Sequence, residues 1–263
     1  MNPSSNQTFS FPRFARLFSR HTTEHLPGYG MSVGVLAGFL LLLLGLAAYS
    51  GNGVLSMKGQ AEFFVFFLLI SAIIFTSTIF SQFGEKRQAT VALLLPASHL
   101  EKYLVGWLYS MPIFLLVFTS VFYAVDALVL YGGAPAGHTP ELLNVFGNAD
   151  AVKAMAGLLV LLHAVWLCGA IYFEKTHFIK TGFALFTLLL GLSLVNYQAL
   201  KVLVGGELRP APPFTTLTLM EGGTHVYNLG LPMSSMQWLS YLPLGLTLLL
   251  WVAAYFRLTE KQL

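Results

Sequence analysis

Apolar and polar positions alternate along this chain in long blocks. Six apolar runs, at about 31–49, 62–80, 99–130, 152–173, 181–200 and 238–256, each approach or exceed the ~20 residues needed to span a bilayer. The third is longer than a bilayer requires, so it should tilt, kink or protrude, with Pro112 as the expected kink. Ahead of the first run, residues 1–7 are polar and expected to be disordered. The stretch 10–25 is amphipathic: Ser10 suits an N-cap, Pro12 the first turn, and Phe11, Phe14, Ala15 and Phe18 follow i, i+3, i+4, i+7. Arg13, Arg16 and Arg20 fall mostly elsewhere, which favours a helix lying in the headgroup region over a merely positive leader that sets topology. Leu26-Pro27-Gly28 should then break the chain before the first span. Gly30, Gly34 and Gly38 recur every four residues, a spacing that admits a second helix or arises by chance among 24 glycines.

Between the fifth and sixth runs lies the largest polar segment, 201–237. Gly205-Gly206 and Arg209-Pro-Ala-Pro-Pro213 predict irregular backbone. Phe214 to Met220 alternates, and Glu221-Gly-Gly-Thr224 separates it from His225 to Leu229, which is a hairpin signal. Trp238 and Tyr241 at one end of the last run and Tyr255 at the other suit the two membrane interfaces. The expected fold is a single all-α polytopic transmembrane domain over 1–263. It has six transmembrane helices, an N-terminal amphipathic interfacial helix and a small β-hairpin in the outer loop before the sixth span.

Composition agrees. Of 263 residues, 56% are hydrophobic and 10% charged, whereas a soluble domain carries roughly a quarter charged residues. The mean hydropathy is +0.71. A formal net charge of +3 is too small to suggest nucleic acid, and its distribution matters more. If the N-terminus is inside, one side holds Arg13, Arg16, Arg20, Lys86, Arg87, Lys102, Lys175, Lys180, Arg257 and Lys261. The other holds only Lys58, Lys153, Lys201 and Arg209. That asymmetry predicts both termini in the cytoplasm. A single cysteine, Cys168, sits in an apolar run and reads as a small hydrophobe, with no disulfide framework.

The chain offers little of its own for chemistry. No Gly-x-x-x-x-Gly-Lys-Ser/Thr loop is present, and Lys175-Thr176 and Lys180-Thr181 lack the glycines that bring backbone N–H groups onto phosphate. Nor is there a His-Glu-x-x-His pair, a Gly-x-Ser-x-Gly elbow, or a His/Cys/carboxylate cluster at metal spacing. The expectation is a non-enzyme with no catalytic, cofactor-binding or metal residues. Two ionisable residues fall at membrane depth. His163, in the middle of the fourth span, is expected to make interhelical hydrogen bonds or, less readily, to contact substrate or protons. Asp126, near the outer end of the third, is expected at the interface, partnered or hydrated.

One polar loop stands out. Phe83 to Lys102 carries three basic residues between the second and third spans. Within it, Ala89 to Leu95 is apolar and helix-permissive, and Pro96 ends that helix. Ser98-His-Leu-Glu101 matches a capping box that starts the third span, a cap worth about 1 kcal/mol. A short helix, a corner and a firmly capped span could pass force from a soluble partner into the membrane. Glu85, Lys86, Arg87, Leu93, Leu95, Pro96, Ser98 and Glu101 are the candidate coupling residues.

Three segments carry a resemblance: Leu95-Pro-Ala-Ser-His-Leu-Glu-Lys-Tyr-Leu104, Tyr172-Phe-Glu-Lys-Thr-His-Phe-Ile-Lys-Thr181 and Tyr255-Phe-Arg-Leu-Thr-Glu-Lys-Gln262. With the six-span layout, they resemble bacterial ABC-2 type permeases. The resemblance implies a membrane-spanning permease subunit of an ATP-driven ABC-type exporter in the bacterial inner membrane. It also implies a homodimer or a heterodimer with a sister permease, and an ABC ATPase subunit carrying ATP and Mg²⁺ on a separate chain. By the same resemblance the N-terminal helix is a connecting helix and Glu85 to Glu101 includes the coupling helix. The hairpin is a departure, since such permeases often place short re-entrant helices there. The alternative is a non-transporting membrane anchor or regulatory subunit that recruits a cytoplasmic partner through the same loop.

Overall fold

The computed structural model describes residues 9–51, 53–84, 97–134, 139–173, 175–204, 207–208, 217–221, 225–229 and 233–260, with side chains described outside 81–84 and 204–240. Its helices are α1 (Phe11–Ser50), α2 (Met57–Gly84), α3 (His99–Leu108), α4 (Phe114–Gly133), α5 (Ala149–Tyr172), α6 (His177–Val204) and α7 (Met233–Glu260). A π-helical turn, Tyr109–Ile113, joins α3 to α4 into a single third span. Among the described residues six helices are long and apolar enough to cross a membrane. The chain is an all-α, multi-pass membrane protein.

One helix differs from the sequence expectation, at a proline. No break occurs at Leu26-Pro27-Gly28: the amphipathic stretch and the first span are one helix of 40 residues with Pro27 inside it. At 1.5 Å per residue it is about 60 Å long, twice a ~30 Å hydrocarbon core. Proline forfeits one backbone hydrogen bond and crowds the preceding turn, so contacts on both sides of it must hold the helix together. His21 and Tyr29 bond to each other across Pro27 at 2.7 Å, and both rings pack on Tyr109, at 4.6 and 5.6 Å between centroids. Nor do all four apolar residues of the amphipathic stretch share one fate. Phe14 and Phe18 pack against the bundle, while Phe11 is 70% exposed. At Pro112 the third span carries a π-helical turn. The i→i+5 pattern takes up the irregularity locally, and such turns are frequent at functional positions.

The core divides at that turn. One cluster joins Leu40, Leu44 and Ala48 of α1 to Phe64, Leu68 and Ala72 of α2 and to Phe114, Phe118 and Phe122 of α4. Phe64 meets Phe118 and Phe122 at 5.5 and 5.0 Å, edge-on, a favoured aromatic geometry. The second cluster joins Ile79 and Phe80 of α2, Tyr103, Val105 and Tyr109 of the third span, Leu167, Ala170 and Ile171 of α5, and Ala254 and Leu258 of α7. Close approach in this half depends on two glycines. A Cβ at Gly106 would lie 2.8 Å from the Phe80 ring, and one at Gly169 would lie 2.6 Å from Thr181 Cγ2. Gly30, Gly34 and Gly38 are different: a Cβ on any of them would meet nothing within 4 Å, so no described part of this chain packs there.

After α6, three short strands pair antiparallel in the order β1 (Glu207–Leu208), β2 (Leu217–Glu221), β3 (His225–Leu229). Thr218 lies opposite Asn228, Leu219 opposite Tyr227, and Glu207 opposite Met220.

Candidate functional site

The candidate site is the end of the bundle from which residues 85–96 depart. Of the expected coupling residues, Glu85, Lys86, Arg87, Leu93, Leu95 and Pro96 lie outside the described residues, as does the expected helix 89–95. Ser98 and Glu101 are described, and they form the capping box in full. The Ser98 hydroxyl accepts from the Glu101 backbone N–H at 3.2 Å, and the Ser98 N–H donates to Glu101 Oε2 at 2.9 Å.

Glu101 also does something that its local sequence does not announce. Its other oxygen, Oε1, accepts from the backbone N–H of Ser10 at 2.7 Å and from Arg13 Nη2 at 3.2 Å. Ser10 is the N-cap of α1, and its own side chain makes no capping bond. One carboxylate with 0% exposure therefore satisfies donors at the starts of two helices about ninety residues apart in sequence, and takes the Arg13 charge as well. A buried carboxylate is tolerated when its lone pairs are filled by donors of this kind.

About two turns further along, Tyr109 extends the junction. Its hydroxyl is hydrogen-bonded to Thr22 Oγ1, and its ring packs on Phe18 at 5.0 Å between centroids. His25 stacks on His21 at 4.3 Å. The first four turns of α1 are thus clasped to the third span by an ion pair at one end and an aromatic cluster at the other.

The three segments that carried the sequence resemblance meet here. Tyr103, from the first, packs edge-on against Tyr255 of the third at 5.7 Å and donates its hydroxyl to the Trp251 carbonyl at 3.1 Å. Arg257, from the third, lies over the ring of Tyr172 in the second at 5.1 Å. Nearby, the turn between α5 and α6 is tight enough to hold Thr176 at φ 52°, with Lys180 above the Phe173 ring at 5.8 Å.

His163 lies at the level where the two core clusters meet. Trp251 Nε1 donates to its Nδ1 at 3.3 Å, so Nε2 carries the proton and donates to Ser110 Oγ at 2.8 Å; Ser110 in turn donates to the Trp107 carbonyl at 3.3 Å. Each polar atom of this chain has a partner, and the network joins the π turn, α5 and α7. That is an interhelical tie and leaves His163, 2% exposed, no free valence for a substrate. Asp126 contrasts with it. The residue is fully buried, with the Leu143 backbone N–H beside its carboxylate and no side-chain hydrogen-bond partner among the described residues.

No group of three or more His, Cys, Asp or Glu able to hold a metal occurs among the described residues. A groove of about 400 Å³ between α2 and α6 is lined by Ile74, Ser77, Thr78, His177 and Phe178. No protein-family model matches the chain, and neither a curated protein nor a solved structure matches it.

Proposed function

We propose that this chain is the membrane-spanning permease subunit of an ATP-driven ABC-type exporter of the bacterial inner membrane, with both termini in the cytoplasm. In this reading ATP and Mg²⁺ are bound by a separate ATPase that docks on residues 83–102, and the subunit pairs with itself or a sister permease. The observation that carries the proposal is the Glu101 junction. It stands five residues beyond the 85–96 segment and ties the first turn of α3 to the first turn of α1. A displacement of the loop would therefore move two helices together rather than bend one joint. The satisfied Ser110–His163–Trp251 network supports a route opened by helix movement rather than by a polar channel inside one chain. Gly30, Gly34 and Gly38, uncovered by this chain, leave room for a second subunit.

The test is co-expression with an ABC ATPase encoded beside this gene. The two should co-purify, and Arg87→Ala or Leu93→Ala should lower the ATPase activity of the complex. Failure to associate, together with ATPase activity indifferent to both substitutions, refutes the reading. Association without any ATP-dependent conformational change in proteoliposomes favours the anchor.

A further inference from the structure

We propose that Asp126 and Gln60 form a site for a small monovalent cation, Na⁺ in the first instance, at the end of the bundle opposite the Glu101 junction. Gln60 opens α2 and Asp126 lies in the last third of α4. Phe64 and Phe122, each one turn nearer the middle of the bundle, are in edge-on contact at 5.0 Å. In two antiparallel helices this places Gln60 and Asp126 in the next layer outward. Both meet the same short segment. Gln60 Nε2 donates to the Glu141 carbonyl at 3.0 Å, and Asp126 faces the Leu143 amide. Residues 141 and 143 are at most about 7 Å apart along an extended chain, so the two side chains flank one short segment.

Both side chains have 0% exposure, and neither Gln60 Oε1 nor the Asp126 carboxylate has a side-chain hydrogen-bond partner among the described residues. An uncompensated carboxylate in so apolar a setting is costly. Among the described residues no cationic side chain neutralises it: Lys58 pairs with Glu62 and Lys153 with Asp150, all strongly exposed. Tyr123 cannot donate to it, because its hydroxyl is committed to the Leu143 carbonyl at 2.7 Å. What remains is a set of oxygens that can only accept, the ligand type of hard cations. A single carboxylate balances one positive charge, whereas a divalent ion would leave an uncompensated charge in the core. Segment 141–143 covers the layer, held by the Gln60 and Tyr123 hydrogen bonds.

The experiment is thermal unfolding of the full-length protein in nanodiscs, followed by tryptophan fluorescence, with NaCl exchanged for choline chloride at constant ionic strength. Na⁺ should raise the midpoint saturably by a few degrees. Asp126→Asn should abolish that response while raising the Na⁺-free midpoint, because the buried charge is gone. Gln60→Met, which removes Oε1 at similar volume, should right-shift the Na⁺ titration at least severalfold and serves if Asp126→Asn does not fold. The proposal is overturned if the midpoint is equal in Na⁺ and choline, or if the Na⁺ response survives in Asp126→Asn. It is equally overturned if acidification alone stabilises the wild type and Na⁺ adds nothing, since Asp126 is then a protonated structural acid.

Discussion

If Glu101 joins two helices, its removal must cost more than a lost cap and must be felt first in α1. In Glu101→Ala the Ser98 N–H, the Ser10 N–H and the Arg13 guanidinium all lose their acceptor. A hydrogen bond to a charged group contributes about 1.5–3 kcal/mol, but the three share one carboxylate and Arg13, 26% exposed, recovers part of its hydration. Breaking a buried pair by deleting one partner costs about 3–5 kcal/mol, and the partial exposure of Arg13 sets the expectation near the lower end, about 3 kcal/mol. Ser98→Ala removes only a neutral hydroxyl acceptor and should cost about 1 kcal/mol. Glu101→Gln keeps one acceptor oxygen and the shape but loses the charge, so it should fall between the two.

The assay is unfolding in detergent micelles for all three variants, with amide hydrogen exchange over residues 10–25 as the local readout. Glu101→Ala should accelerate exchange at 10–25 before the core of α4 or α5 is affected; Ser98→Ala should leave that stretch protected. A double-mutant cycle of Glu101→Gln with Arg13→Gln should give a coupling of about 1 kcal/mol or more. Equal costs for Glu101→Ala and Ser98→Ala, with unchanged exchange at 10–25, would refute the bridging role and reduce Glu101 to an ordinary capping residue.

Two further substitutions test the neighbouring α5–α6 turn at the same end of the bundle. Gly169→Ala places a methyl 2.6 Å from Thr181 Cγ2 and 2.8 Å from its Cβ; overpacking of this kind costs about 1–3 kcal/mol, against about 1 kcal/mol gained from helix propensity. Its unfolding midpoint should drop and should recover partly with Thr181→Gly, and a midpoint above wild type would show that α5 and α6 are not in close contact there. Thr176→Asn exchanges a β-branched residue at φ 52° for one that tolerates the left-handed region. It should raise stability by about 0.5–1 kcal/mol, and a loss of that size would show that the turn is not strained.

Which of these features the sequence announces depends on how far apart the interacting groups lie. The capping box is written in four consecutive residues, because an N-cap hydroxyl and an N3 carboxylate satisfy each other within one turn; Ser98 and Glu101 were therefore legible. The second role of the same carboxylate joins positions 88 and 91 residues away. Nothing local to Ser10 or Arg13 specifies that partner. Pro27 misled for the same reason. Read locally it breaks a helix, but Tyr109, from another span, packs on both residues that flank it and restores the continuity that propensity denies. His163 was conspicuous because an imidazole at membrane depth needs partners, yet only the folded bundle shows that Ser110 and Trp251 meet both nitrogens. Asp126 differs from these. Its position in an apolar run was equally conspicuous and suggested an interfacial residue with partners or water; it is fully buried, with no side-chain partner among the described residues. In a bundle that satisfies Glu101 with three donors and His163 with two partners, Asp126 has only the Leu143 amide beside it among the described residues, so a proton or a cation must balance its charge. That argument makes Asp126, rather than His163, the intramembrane residue to test for ligand binding.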